Sequence, residues 1–136
     1  MEPDPTPPTR ATSAAVSVIG LDHARLCYAY LNSGDIDGYT SLFDADAVVR
    51  RPGATPIHGR GALERSHQRR GTYRLRNAFS SADLVAATGS FSPADRPDRE
   101  VVEFADIFTI GNSGLIVAQS TYYFVPPATD PFSSAP

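Results

Sequence analysis

The sequence predicts an α+β fold, with three N-terminal helices packed on one face of a curved, mostly antiparallel sheet. Three observations point there. Apolar residues recur at helical spacing through the first half of the chain. The second half carries four runs of β-rich composition. Turn residues separate those runs: Ser80-Ser81-Ala82-Asp83, the stretch Pro93 to Asp98, and Gly111-Asn112-Ser113-Gly114.

The first helix fits Ser13 to Asn32, where Val16, Ile19, His23, Cys27, Tyr30 and Leu31 recur on one face. Gly34 stops it. Asp35 can cap a second, short helix through Ile36, Tyr39, Leu42 and Phe43. Ala47 to Arg51 reads as a short strand ended by Pro52 and Gly53, with a loop to Ile57. His58-Gly59-Arg60-Gly61 leads into a third helix, Ala62 to about Arg70, closed by Gly71. The strands then run Tyr73 to Phe79, Leu84 to Phe91, Val101 to Ile110 and Leu115 to Val125. A strongly curved sheet folded over helices makes a cone with an apolar mouth, a favoured place for ligands.

At 136 residues the chain has the size of one domain, and 41% apolar residues suffice for a core. The expected organisation is a disordered segment over 1–12, a domain over 13–125 and a Pro-rich tail over 126–136. The start is Pro-rich and acidic, without the basic and apolar regions of a signal peptide. No apolar stretch reaches membrane-spanning length, so a cytoplasmic protein is expected. The single cysteine, Cys27, rules out an internal disulfide. All twelve basic residues are arginine. Eight fall between Arg50 and Arg76 against one acid, Glu64, a local +7 in a chain of net charge −3. Such a region can attract a carboxylate, a phosphate or an acidic protein, or can be an ordinary solvated surface. The acidic total and the lack of a recognition motif argue against nucleic acid.

One carboxylate stands out. In the run Val101 to Ile110, alternation places Val102, Phe104, Asp106, Phe108 and Ile110 on one face. Asp106 is the only polar member of that greasier face. A buried carboxylate is costly unless paired, hydrogen-bonded or protonated, so Asp106 is a candidate for chemistry. Alternatively it serves buried donors structurally, or a slipped register turns it to solvent.

Several segments together resemble the SnoaL-like and ketosteroid-isomerase-like branch of the nuclear transport factor two-like superfamily. They are Tyr30-Leu31-Asn32-Ser33-Gly34-Asp35-Ile36-Asp37-Gly38, Leu42-Phe43-Asp44-Ala45-Asp46-Ala47-Val48-Val49, Pro56-Ile57-His58-Gly59-Arg60, Asp106-Ile107-Phe108 and Gly114-Leu115-Ile116-Val117. The resemblance spans about Val16 to Phe124 and implies the cone-shaped fold of that superfamily. Its members include isomerases, cyclases, epoxide hydrolases, dehydratases and binders, so fold alone does not fix activity. In ketosteroid isomerase a Tyr and a protonated Asp form an oxyanion hole and a second Asp is the base. Asp106 falls at the protonated Asp. Cys27 falls at the Tyr, with Tyr28 and Tyr30 close by. Arg51 falls at the base, His67 near a supporting tyrosine, and Tyr123 at an aromatic of the wall. The resemblance thus implies an isomerase-like pocket whose base is exchanged for a cation, and the isomerase route is not expected. Limonene epoxide hydrolase needs acids on the last strands, where Thr121 and Phe124 stand here. SnoaL-like cyclases use an Asp acid/base on a late strand, a role open to Asp106.

His67 is either an inward acid/base near Asp106 or a helix-surface residue. His23 reads as a polar pocket or core residue, His58 as a residue at the start of the third helix, and Cys27 as a buried small hydrophobe. Tyr122 and Tyr123 alternate, so only one can face inward. Three scattered His and one Cys make no metal spacing, and no glycine-rich phosphate loop is present.

The leading expectation is a cofactor-independent acid/base enzyme for a hydrophobic, oxygenated metabolite, performing cyclisation, isomerisation or dehydration in polyketide-like natural-product biosynthesis. Asp106, His67 and Arg51 would be catalytic; Cys27, Tyr28, Phe43, Phe104, Phe108 and Tyr123 would bind substrate; no cofactor or metal is expected. Arg51 and His67 as cationic neighbours would keep Asp106 ionised. The alternative is a non-catalytic binding protein whose arginine-rich surface meets an acidic partner such as an acyl carrier protein. A homodimer is expected from the resemblance and from an apolar outer sheet face.

Overall fold

Helix α1 (Ser13–Ser33) buries one face, Val16, Gly20, Ala24, Cys27 and Tyr28, at the spacing of successive helical turns. A Cβ on Gly20 would stand 2.6 Å from Ile110 Cγ1, so the helix lies on the sheet as closely as glycine permits. The computed structural model describes residues 13–66, 70–95 and 101–124. The expected terminal segments, 1–12 and 126–136, lie outside them. Gly34, at φ 75°, ends α1. Its N–H donates to Leu31 O and that of Asp35 to Tyr30 O, the paired bonds of a Schellman cap. Asp35 then caps α2 (Ile36–Ser41), accepting a hydrogen bond from Gly38 N at 2.8 Å.

The other elements are β1 (Phe43–Arg50), β2 (Ile57–His58), α3 (Arg60–Arg65), β3 (Gly71–Ser81), β4 (Leu84–Pro93), β5 (Val102–Ile110) and β6 (Ile116–Tyr123). Six strands form one sheet in the order β2-β1-β6-β5-β4-β3. Among the described residues only the β1–β6 pairing is parallel. Helix α1 packs over β3 and β4, and α3 packs on β1. Between helices and sheet lie Tyr28, Phe43, Leu63, Val85, Phe104, Phe108 and Ile116. No helix of the described residues is long and apolar enough to cross a membrane.

The order and kind of elements follow the expectation; several boundaries do not. Phe43, expected at the end of the second helix, opens β1 because it pairs with Ile116 of β6. Asp44, Ala45 and Asp46 are poor strand formers, and tertiary pairing overrides them across a register shift between Phe43 and Val48. Helix α3 starts at Arg60 and stops at Arg65, where Ser66 turns extended. Gly71, expected to close that helix, instead begins β3 opposite Pro93. The two-residue strand β2 has too little length for a sequence signal.

Candidate active site

Asp106 lies on the inner face of β5 between Phe104 and Phe108, all three buried as alternation requires. The outer-face neighbours Glu103 and Ile107 are exposed. The register is therefore the one that takes the carboxylate inward, opposite Ala87 of β4 and Thr121 of β6.

Side chains, not backbone groups, meet it. The Tyr28 hydroxyl, brought by α1, donates to Oδ2 at 2.5 Å. The Thr121 hydroxyl donates to Oδ1. Gln119, two residues along β6 on the same face, is a third hydrogen-bonding neighbour. Its amide oxygen accepts from the Tyr39 hydroxyl at 3.3 Å, which leaves the amide nitrogen as the donor toward Asp106. Tyr39 in turn hydrogen-bonds Arg51, just after β1. The chain Asp106–Gln119–Tyr39–Arg51 thus joins the carboxylate to a cation through two neutral groups.

Burial raises the pKa of Asp106 above the ordinary carboxylate value. Hydrogen bonds from Thr121, Tyr28 and Gln119, then the charge of Arg51, pull it down without cancelling that rise. Of the cationic partners expected from sequence, His67 lies outside the described residues and Arg51 is the weakest of these influences on Asp106. Its close partners are two hydroxyls and an amide, and desolvation dominates. The same burial raises the Tyr28, Tyr39 and Cys27 pKa values, with the Asp106 charge adding for Tyr28 and Cys27. Tyr73 is pushed up to about 12 by burial and then by Asp106. These groups stay protonated at neutral pH. The tyrosines are donors, and Cys27 is no thiolate nucleophile.

Asp106 opens onto a cavity of about 40 Å³, room for one or two small groups. Its lining includes Cys27, Tyr28, Tyr39, Arg51, Tyr73, Phe104, Gln119, Thr121 and Tyr123. A second, open cleft of about 380 Å³ shares Arg51, Thr121 and Tyr123 with it and adds Arg50, Pro52, Ser120 and Tyr122. A narrow inner chamber therefore sits beside a wider vestibule.

Of the residues singled out from sequence, Cys27, Tyr28, Arg51, Phe104, Asp106 and Tyr123 surround the one chamber. Phe43 and Phe108, expected in its wall, do not line it. Both are fully buried core residues, Phe43 packed edge-on against Tyr39 and Phe108 against Tyr28. They reach the site only by fixing those tyrosines. His67 lies outside the described residues. The tyrosine hydroxyl that meets Asp106 comes from Tyr28, one residue beyond the position the resemblance suggests. Neither His23, bonded through Nδ1 to Gly114 O at 2.5 Å, nor the exposed His58 lines the chamber. Sequence reasoning missed Gln119, Tyr39 and Tyr73. Gln119 was within reach: it shares a strand face with Thr121 and Tyr123. The helical face holding Tyr39 and the register carrying Tyr73 needed the fold.

A family model for the SnoaL-like domain matches residues 24–119. No curated protein matches. Among solved structures, similarity extends to a candidate ketosteroid isomerase of Kribbella flavida, at 16% identity and TM-score 0.70, covering 87% of this chain and 85% of that one. It extends also to an NTF2-like protein of unknown function from Burkholderia xenovorans, at 21% identity and TM-score 0.68, covering 85% and 90%. An LEH-like epoxide hydrolase of M. tuberculosis aligns at 18% identity and TM-score 0.64, covering 79% and 84%. At such identities these likenesses establish the nuclear transport factor two-like fold and no more.

Proposed function

The chain belongs to the SnoaL-like domain family, and on that premise we propose a cofactor-independent acid/base enzyme acting on a small oxygenated molecule, with Asp106 as the proton-transfer group. One observation carries the reading. A buried carboxylate of raised pKa faces a cavity and is held by side-chain donors from α1 and β6, not by backbone groups. Asp106 has its proton affinity raised by burial above that of an ordinary carboxylate.

The chemistry is proton abstraction beside a carbonyl. Asp106 takes the proton from the carbon α to the carbonyl, whose oxygen becomes an enolate oxygen. Arg51 offsets the new charge and Tyr73, which also lines the chamber, can donate to it. Return of the proton from Asp106 to another carbon completes an isomerisation. Attack of the enolate carbon on a second carbonyl of the same molecule, protonated by Asp106, completes a cyclisation. Loss of a β-hydroxyl as water, with that proton, completes a dehydration. The chamber admits only the reacting atoms; the substrate body lies in the vestibule against Tyr122 and Tyr123. Natural-product intermediates rich in carbonyl groups fit this division, and His67 keeps its proposed role in orienting substrate.

The test is deuterium uptake from heavy water by a panel of small ketones and dicarbonyl compounds, followed by mass spectrometry. Wild type should exchange at least one of them, and Asp106→Asn should exchange it about 10²–10⁴-fold more slowly. Equal rates for the two proteins would remove Asp106 from the mechanism.

A further inference from the structure

We infer that the vestibule is a carboxylate site: the small molecule this protein takes carries an acid group, held by the guanidinium of Arg51 with Arg50 beside it, while its apolar body lies on Tyr122 and Tyr123. The inference rests on the acid/base reading only for which end of the molecule reacts; the binding claim stands on the cleft itself.

The vestibule, about 380 Å³, falls in the usual range for small-molecule sites, whereas the inner chamber does not. The cleft belongs to a molecule larger than the chamber can admit. Two arginines, Pro52, two hydroxyls and two tyrosine rings line it, and among the described residues that line it none is acidic. Guanidinium groups match carboxylates in shape and charge, and hydroxyls beside them supply further donors. Arg51 is half-buried and also lines the inner chamber. Its bond to Tyr39 fixes the side chain at the junction of the two spaces. Its charge is felt at Tyr39, Tyr73 and Asp106. Aromatic walls with a carboxylate would otherwise suit an ammonium ligand; the Arg51 charge between chamber and cleft opposes one. An acid gripped at Arg51 leaves the carbons beyond it pointing toward Asp106.

Benzoate and its neutral amide, benzamide, are suitable probes, titrated calorimetrically into the full chain. Benzoate should bind about tenfold more tightly than benzamide, the worth of one charge-assisted pair, with an advantage that shrinks as salt is added. Arg51→Leu should erase the difference between the two probes. Arg51→Lys should keep part of it, and Arg50→Leu should reduce it with the site otherwise unchanged. Equal binding of acid and amide by wild type, no binding of either, or an unchanged preference in folded Arg51→Leu would overturn the inference. Asp106→Asn separates the two claims. It should keep or tighten benzoate binding, since it removes a nearby negative charge, while losing deuterium exchange. Exchange without acid preference refutes the carboxylate site alone. Acid preference with exchange unaffected by Asp106→Asn refutes the acid/base reading alone.

Discussion

At the residue scale the account turns on what surrounds Asp106. Its folded-state pKa is raised above the unfolded value of about 3.9. Between those two values the folded protein holds a proton that the unfolded chain has lost, so stability falls as pH rises across that window. The contribution is complete below the unfolded pKa and gone above the folded one. Asp106→Asn has no such proton to lose. Urea unfolding should therefore show the variant gaining on wild type as pH rises from about 4, until the difference between them becomes constant. A gap that does not change with pH would mean the carboxyl is not destabilised by burial. Tyr28→Phe removes the donor to Oδ2. It should cost about 1–3 kcal/mol at neutral pH and move the acidic limb of any rate profile upward, because the ionised form loses support. Asp106 itself was legible in sequence from strand alternation alone. That Tyr28 meets it was not, since Tyr28 approaches from a helix whose docking is set by packing far from the site.

At the element scale, hairpin β3–β4 joins Ser81 to Leu84 through a two-residue turn in which Ala82 adopts φ 52°. That left-handed conformation costs a non-glycine residue roughly 1–2 kcal/mol. Ser17 Oγ of α1 donates to Ala82 O at 2.7 Å and Ile110 N to Asp83 O at 2.8 Å, so the turn is held from two sides. Ala82→Gly should relieve the strain, less the entropic cost of glycine, for a net gain of about 0.5–1 kcal/mol. A higher urea midpoint at unchanged slope checks it; a lower one would show that the turn is not strained. The sequence marked this turn and the runs on either side because turn residues and β-rich composition are local signals. It misplaced the ends of α2, β1 and α3, where the deciding force is non-local. Phe43 becomes a strand residue only because Ile116 lies beside it, and Gly71 only because Pro93 does.

At the scale of the whole molecule, three arginines of the arginine-rich segment have different surroundings. Arg51 turns to the chamber, Arg60 reaches Phe43 O at 3.5 Å, and Arg76 pairs with Glu103 at 3.0 Å on the surface. That exposed pair contributes little to stability. The sheet's outer face presents Ile107, with Phe124 just past its end, both exposed, and the proposed homodimer would cover them. Light scattering should then give twice the 14.6 kDa chain mass, and Ile107→Glu should return the monomer with the chamber intact. A monomeric wild type at micromolar concentration would remove the dimer from the account. An acyl carrier protein remains a proposed acidic partner, and it would have to approach the vestibule where Arg50 and Arg51 meet.

Everything above depends on Asp106 being a carboxylate whose proton affinity the fold has raised. Titration of its side-chain carboxyl carbon by NMR, assigned by comparison with Asp106→Asn, measures this directly. The account expects a midpoint clearly above that of an ordinary aspartate, about 3.9, moving higher still in Tyr28→Phe. A midpoint at or below the ordinary value would mean that its donors and Arg51 outweigh burial, and the proposed base would be a structural anion instead.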